Sequence, residues 1–438
     1  MRTTGTHDEV AGGSGPGAEG GARADVVVVG AGVAGLACTA DLVAAGLRVR
    51  LLESEDAVGG RMRTDQVAGF TTDRGFQVFN TSYPQVKRRL DLRELRLRAF
   101  TPGLLVYVDG RLRRITDPTR RPGASRDMLP GGLFSARDLA ALGLLSARDM
   151  FGPAVRPRTR PDTTTGAALA AAGFSSRAVE TFFRPFLSGI FLEDELDTSA
   201  RYFHLVWRSM LRGTLCLPAN GIGAVPAQLA SGLPDGVLGT GSPVAALTSG
   251  GVALTGAGEL PARAVVVATG SAAAARLLPG LDAGRSPRTV TTLYHAVDRS
   301  PLTEPTLVID ARRRFLNTCV LTELHRGYAA DGRSLVSTSV LGAPGPAEEG
   351  AVLAALGEVY GADTSNWQPV HRVTVRDALP AMPPSLALSR TTRFAPGRYV
   401  CGDHRATGSL QGALASGSRA AREVLADLRS GAPDRSER

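Results

Sequence analysis

The stretch Val26-Val27-Val28-Val29-Gly30-Ala31-Gly32-Val33-Ala34-Gly35-Leu36 decides how this chain folds. Four valines in a row predict a buried parallel strand, because a strand covered on both faces reads as continuous apolar sequence. Val33 to Ala45 follows, rich in alanine and leucine, and predicts a helix. Between strand and helix, Gly30, Gly32 and Gly35 form GxGxxG. Gly30 permits the tight turn, Gly32 lets a pyrophosphate approach the backbone, and Gly35 lets helix and strand pack closely. Ala31 in the turn, with Val33 and Ala34 at the helix N-terminus, offers unpaired N–H groups and a partial positive charge to phosphates. Val49-Arg50-Leu51-Leu52 is the next strand and completes a βαβ unit. Glu53 ends it, 23 residues after Gly30. An acid at that spacing accepts hydrogen bonds from a ribose diol and repels a 2′-phosphate. The site therefore suits the ADP half of NAD or FAD.

Further along, strand-like and helix-like segments alternate. Ala264–Ala268 and Tyr399–Cys401 read as buried strands, and Leu410–Leu428 as a closing helix. The middle differs. Asp138–Met150 and Thr165–Leu187 are helical in pattern. Thr198–Arg212 predicts a helix capped by Thr198, with Phe203, Val206, Trp207, Met210 and Leu211 on one apolar face, read as core. Val290–Val297 and Ser334–Leu341 look like strands of a second, mixed sheet. No internal repeat occurs.

The charge is uneven. The net charge is +9 over 438 residues, and Lys87 is the one lysine among 50 basic residues. Between Pro84 and Arg160 stand 17 basic and 7 acidic residues, which accounts for the whole excess. That segment reads as a solvated surface, an acidic-ligand site or a docking face for anionic lipid. Nucleic acid is not expected, because no recognised binding module accompanies the charge. The composition, 43% hydrophobic and 21% charged, is that of a globular chain. No apolar stretch approaches the ~18 residues of a membrane-spanning helix. Cys38, Cys216, Cys319 and Cys401 are far apart, and His204, His295, His325, His371 and His404 are dispersed. No metal site or disulfide framework is expected, and a reducing cytoplasm fits. Glu193 and Asp194 read as a solvated turn. No hydrolase signature is present.

After Glu53, Val58-Gly59-Gly60-Arg61-Met62-Arg63 adds a glycine pair and an arginine that can offer a planar donor fork to a pyrophosphate. This element, ahead of Asp73-Arg74-Gly75-Phe76-Gln77, resembles the start of the flavin-containing amine oxidase, phytoene desaturase and protoporphyrinogen oxidase superfamily. Arg398-Tyr399-Val400-Cys401-Gly402-Asp403 is similar to that superfamily's strand ending in Gly-Asp or Gly-Glu. Gly408-Ser409-Leu410-Gln411-Gly412-Ala413 then opens a helix. Pro243-Val244 and Val265-Val266-Val267-Ala268-Thr269-Gly270 match its third segment. Pro218–Gly223 and Leu379-Pro380 sit where similar turns occur. The resemblance runs from about 25 to 428. It implies non-covalent FAD, with Gly60, Arg61, Gly75, Gly402, Asp403, Ser409, Leu410 and Ala413 joining the glycine-rich turn and Glu53. Asp403 would bind the ribityl or pyrophosphate region, the Ser409–Leu410 backbone the flavin N1–O2 edge, and the Val244 backbone the adenine. Cys401 lies inside its strand and reads as a buried hydrophobe.

The expected fold class is α/β: a Rossmann-like FAD-binding domain with an inserted mixed-sheet substrate domain and helical lobe. The expected division is a disordered tail at 1–24, FAD-binding segments 25–83, 215–289 and 385–428, substrate segments 84–214 and 290–384, and a fraying tail at 429–438. Classical amine oxidases of this superfamily place a lysine beside flavin N5. Lys87 is far from the corresponding strand, which carries Tyr294 and His295. These two and His404 are the only, weak, catalytic candidates. The missing lysine and Arg184–Phe191 lean toward the desaturase side. The implied activity is hydride removal from a C–H or C–N bond of a hydrophobic small molecule, with the electron acceptor open. The alternatives are an amine or amino-acid oxidase, a redox-neutral flavin-dependent isomerase, or a non-redox prenyl-lipid-binding escort protein. A cytoplasmic location with peripheral contact to an anionic membrane is the matching expectation.

Overall fold

The structure is a computed structural model. It describes residues 23–117, 120–121, 123, 132–152, 161–282, 284 and 287–431. Most of the two expected tails, and part of the basic segment, lie outside the described residues.

The first sheet is built around Ala24–Val29 (β1), which pairs in parallel with Val49–Leu52 (β2). On its other side β1 pairs in parallel with Glu259–Val267 (β3), and β3 with Arg398–Val400 (β4). The helix Val33–Ala44 (α1) connects β1 to β2. The valine run explains itself here. Val26 and Val28 face one core, with Leu36, Leu51 and Leu414. Val27 and Val29 face the opposite core, with Leu52, Val252 and Val265. Both faces are covered, so no polar alternation survives. Each fully buried valine contributes roughly 1.5–3 kcal/mol. The closing helix Leu410–Arg429 lies beside α1 on the first of these cores.

The second sheet has seven strands. Its edge strand is Gln368–Leu379, followed by Arg288–Val297, Ser334–Leu341 and Asn317–Val320. Val308–Asp310 pairs in parallel with Gly103–Val108, and the other pairings are antiparallel. A helical lobe packs on one face through Leu104, Val106, Phe183, Leu187 and Trp207. The helix Pro346–Tyr360 covers the other face.

Three expectations are corrected. The helix expected over Thr165–Leu187 is broken into Thr165–Ala171, Ser176–Ala178, a π-helical turn Val179–Phe183 and Arg184–Phe191. Gly173 at φ +86° ends the first piece, and Ser175 caps the next by accepting from the Ala178 N–H. The helix Ala200–Arg212 is capped by Ser199, not Thr198. Thr198 instead donates to Glu193 at 3.0 Å. Glu193 is itself buried and accepts from the backbone of Glu195 and Thr198, so it is an interior cap and not a solvated turn. Val86, Leu90 and Leu95 belong to the same core as β1. These apolar residues stand between basic ones, just past the expected edge at 83.

Candidate functional site

At the carboxyl ends of β1, β2 and β3 lies a cavity of about 1190 Å³. Open parallel sheets place their ligands at this position. The glycine-rich turn forms one wall. Gly30 adopts φ +102° and donates its N–H to the Leu52 carbonyl at 2.7 Å. A Cβ on Gly35 would stand 2.0 Å from the Gly30 carbonyl oxygen, so α1 and the turn can approach only without one. Gly32 differs. It has an ordinary φ of −68°, lines the cavity, and a Cβ there would meet no atom within 4 Å. The space beside it is room for a ligand, which is the cradle that a pyrophosphate requires.

Glu53 is buried and fixed. Its Oε2 accepts from the Ala31 N–H at 2.7 Å, and its Oε1 from the Glu55 N–H at 3.0 Å and the Ser54 hydroxyl at 3.2 Å. Carboxylate oxygens carry about four acceptor sites between them, so capacity remains toward the cavity. Arg61 donates both guanidinium prongs to Asp403, at 2.8 and 2.7 Å, and a further bond to the Ala378 carbonyl at 2.8 Å. Burial alone would raise the Asp403 carboxyl, but the Arg61 charge beside it holds it below the usual carboxylate range. The fork read from sequence as a pyrophosphate donor is thus anchored on Asp403 while still lining the cavity.

The cavity wall collects most of the residues singled out from sequence: Gly30, Gly32, Val33, Ala34, Glu53, Gly60, Arg61, Val244, Gly402, Asp403, Ser409 and Ala413. Ala31 acts behind it through Glu53, and Gly35 through packing. Leu410 starts the closing helix without lining the wall. Gly75 lines a second, smaller chamber of about 280 Å³. The two spaces share Arg61, Arg74, Gln77, Val375, Ala378 and Leu379.

The small chamber is walled mainly by Leu104, Phe186, Ile190, Val206, Met210 and Leu307. The aromatic helix face is therefore divided. Phe203 and Trp207 are core, whereas Val206 and Met210 face the chamber. Among the described residues no carboxylate lines it. Its polar groups are Gln77, Asn80, Tyr83, Tyr202, Asn317 and Ser339, with Arg61 and Arg74 where it meets the larger cavity. Both arginines are already paired, Arg74 with Asp65 and Glu55. Burial pushes the Tyr83 phenol up to about 12 and holds the Tyr202 phenol well above its ordinary value, so neither ionises near neutrality. The Tyr202 hydroxyl donates to the Gly408 carbonyl at 2.6 Å.

The three weak catalytic candidates are not in either space. Tyr294 is buried, with its hydroxyl donating to the Asp73 carbonyl at 2.7 Å. His295 points to the opposite face of the sheet, 6.1 Å from the Trp367 ring. Strand alternation requires this division of neighbours. His404 is buried with both ring nitrogens unpartnered, and burial pushes it down to about 4. Its ring packs against Gly402 behind the cavity lining.

Residues 33–425 match the family described as flavin containing amine oxidoreductase. The chain belongs to that family. Its cofactor is FAD, and it is an oxidoreductase. The fold is also that of cyclohexylamine oxidase from Brevibacterium oxydans, with TM-score 0.71 and 18% identity over 93% of this chain and 100% of that one. An oxidoreductase from Methanosarcina mazei matches with TM-score 0.69 and 19% identity over 92% and 99%. The curated protein named "Putative flavin-containing monoamine oxidase AofH", from Mycobacterium tuberculosis, is 53% identical over 51 residues. That match spans about a tenth of each protein, 12% of this chain and 11% of AofH.

In this flavoenzyme the lysine stands apart from both spaces. The one lysine, Lys87, is exposed on the helix Pro84–Arg89 and lines neither space. Cys401 is fully buried behind β4. Sequence reasoning missed Asn317 and Ser339, which stand opposite each other on neighbouring strands and put a polar spot into the apolar wall. Asn317 makes no side-chain hydrogen bond among the described residues. No local signal marked it, since one asparagine at a strand start is unremarkable.

Proposed function

We propose that this flavoenzyme removes a hydride from a C–H or C–N bond of a neutral, lipophilic substrate. FAD, held non-covalently, supplies the two-electron acceptor when bound. In this reading the Gly30–Gly32 backbone receives the pyrophosphate, Glu53 the adenosine ribose and Asp403 the ribityl region. Ser409 and Ala413, at the start of the closing helix, would face the flavin with that helix's positive end. Arg61 orients Asp403 and joins the cofactor cavity to the substrate chamber. The chamber's contribution is orientation and exclusion of water.

One observation carries the substrate class: among the described residues no carboxylate lines the chamber, and the two cations there, Arg61 and Arg74, are already paired. A protonated amine entering it would lose its hydration without gaining a counter-charge. The absence of a group titrating near neutrality also fits hydride removal without an obligatory protein base. The family description and the likeness to cyclohexylamine oxidase favour a second reading, oxidation of an amine that enters in its neutral form. Anaerobic mixing of the holoenzyme with matched neutral and amine-bearing hydrophobic compounds tests both. The neutral series should bleach the oxidised flavin absorption. Bleaching by amines alone, growing as pH approaches the amine pKa, would establish the second reading instead. We place the enzyme in the cytoplasm.

A further inference from the structure

We propose that the outer face of the helix Ala136–Phe151 docks this enzyme on an anionic lipid surface. Among the described residues the two most exposed large apolar side chains are Leu144, at 73%, and Phe151, at 82%. They lie seven positions apart on one helix, so they share one face. Arg137 continues that line one further heptad toward the N-terminus, and Ala140 and Ala147 fill it with small apolar residues. Arg148 flanks it and remains 44% exposed beside Asp149.

The helix has two acids, and both are turned inward. Asp138 accepts from the Ser135 N–H at 3.0 Å and the Ser175 N–H at 2.7 Å. Asp149 lies 2.7 Å from His204. The outer face is thereby left with arginine and hydrocarbon and no carboxylate. Arg137 makes no ion pair among the described residues. A helix that shows water Leu, Phe and Arg without acids has the composition of one that lies in a headgroup layer. The surrounding segment, with 17 basic against 7 acidic residues between Pro84 and Arg160, supplies long-range attraction of the same sign.

The helix is fixed rigidly to the enzyme. Trp207 donates to Ser146 at 3.2 Å, and Arg208 donates to the Asp149 and Gly152 carbonyls at 2.7 and 2.6 Å. Trp207 and Arg208 belong to the helix whose Val206 and Met210 wall the small chamber. A docked surface would therefore lie one helix away from that chamber.

The test is vesicle sedimentation of the full-length holoenzyme, which needs no substrate and so stands apart from the substrate reading. Vesicles of phosphatidylcholine alone are compared with vesicles containing phosphatidylglycerol, at low and high salt. The wild type should pellet with the phosphatidylglycerol vesicles, and less so at high salt. Leu144→Ser with Phe151→Ser should cut the pelleted fraction at least tenfold while flavin content and visible spectrum stay unchanged. Arg137→Glu should weaken the same binding and make what remains less sensitive to salt. A wild type that stays in the supernatant, or a double variant that pellets as well as the wild type, overturns the proposal. So does equal pelleting on neutral vesicles. A lipid-free dimer that the double variant splits would assign the face to a second copy of the chain instead.

Discussion

Arg61 and Asp403, 342 residues apart, grip each other through two parallel hydrogen bonds, while a third ties Arg61 to Ala378 on the edge strand of the second sheet. One guanidinium thus joins the first sheet, the strand–helix junction near the C-terminus and the substrate sheet. Two-pronged geometry of this kind is specific to arginine, so Arg61→Lys is not a conservative change here.

Removing one partner should be costlier than removing both. Asp403→Ala leaves Arg61 uncompensated and should destabilise the FAD-free protein by roughly 1–3 kcal/mol. This is below the range for a fully buried pair, because Arg61 keeps 33% of its side chain open to the cavity. Urea unfolding of Arg61→Ala, Asp403→Ala and the double variant measures the coupling. Strictly additive losses would mean that the pair contributes no coupling.

Gly32→Val and Glu53→Ala separate the two halves of the cofactor grip. A Cβ at Gly32 meets no protein atom within 4 Å, so the FAD-free variant should fold with normal circular dichroism yet purify without flavin. Glu53→Ala should weaken FAD binding by about 1–3 kcal/mol, the scale of a lost charge-assisted hydrogen bond, and also free the Ala31 N–H. Titration of stripped protein with FAD reads both. Normal stoichiometry in Gly32→Val would contradict the cradle.

Asn317 should act on substrate recognition and leave the flavin alone. Asn317→Leu removes the amide from the chamber wall while keeping the side chain's heavy-atom branching. For a substrate carrying a carbonyl or hydroxyl, KM should rise roughly tenfold, the scale of one neutral hydrogen bond, with the flavin spectrum unchanged. A fall in kcat at constant KM would give Asn317 a different role.

Asp73 and His404 should tilt stability in opposite directions as pH changes. Burial pushes the Asp73 carboxyl up to about 6, partly offset by hydrogen bonds from Thr64 and Ile222. The unfolded value is about 3.9, so between these values the folded state binds the extra proton and stability falls as pH rises. Burial pushes His404 down to about 4, against about 6.5 unfolded, so there stability rises with pH. Each contribution is on the order of 3 kcal/mol, so the two nearly cancel. Asp73→Asn keeps an acceptor for Thr64 and Ile222 but cannot ionise. Its melting temperature minus that of the wild type should climb from pH 4 to 6. A constant difference would show that Asp73 ionises normally.

What was legible in the chain was local or repetitive. The cofactor turn, β1, α1 and Glu53 lie within one βαβ unit, where spacing alone sets geometry. The valine run announced a strand covered on both sides, and Val26 and Val27 do face different cores. Tyr294 and His295 were legible as strand residues but not as bystanders. His295 is on the opposite face, and Tyr294, though on the same face as Val290, lies four residues further along the strand; Val290, Ser339 and Asn317 hold the places that meet the chamber. The Arg61–Asp403 clasp has no sequence signature, since each residue alone is a common surface type. The burial of Val86 and Leu90 was hidden for a related reason: both stand among arginines, and composition averaged over that stretch masks them.

The order of strands in the first sheet has a consequence for how the enzyme is made. β1 meets β2 within one short unit, but it waits for Val265 and its neighbours, and β3 waits for Arg398–Val400 near the end of 438 residues. At about 5–20 residues per second, synthesis leaves a half-built sheet with an open valine edge for tens of seconds. If FAD binds as proposed, it can seat only once Asp403 and the closing helix have been made. A chain cut before Arg398 should fold with an unsealed edge on β3 and carry no flavin. Yield in a foreign host should therefore depend on chaperones and free flavin more than on message level.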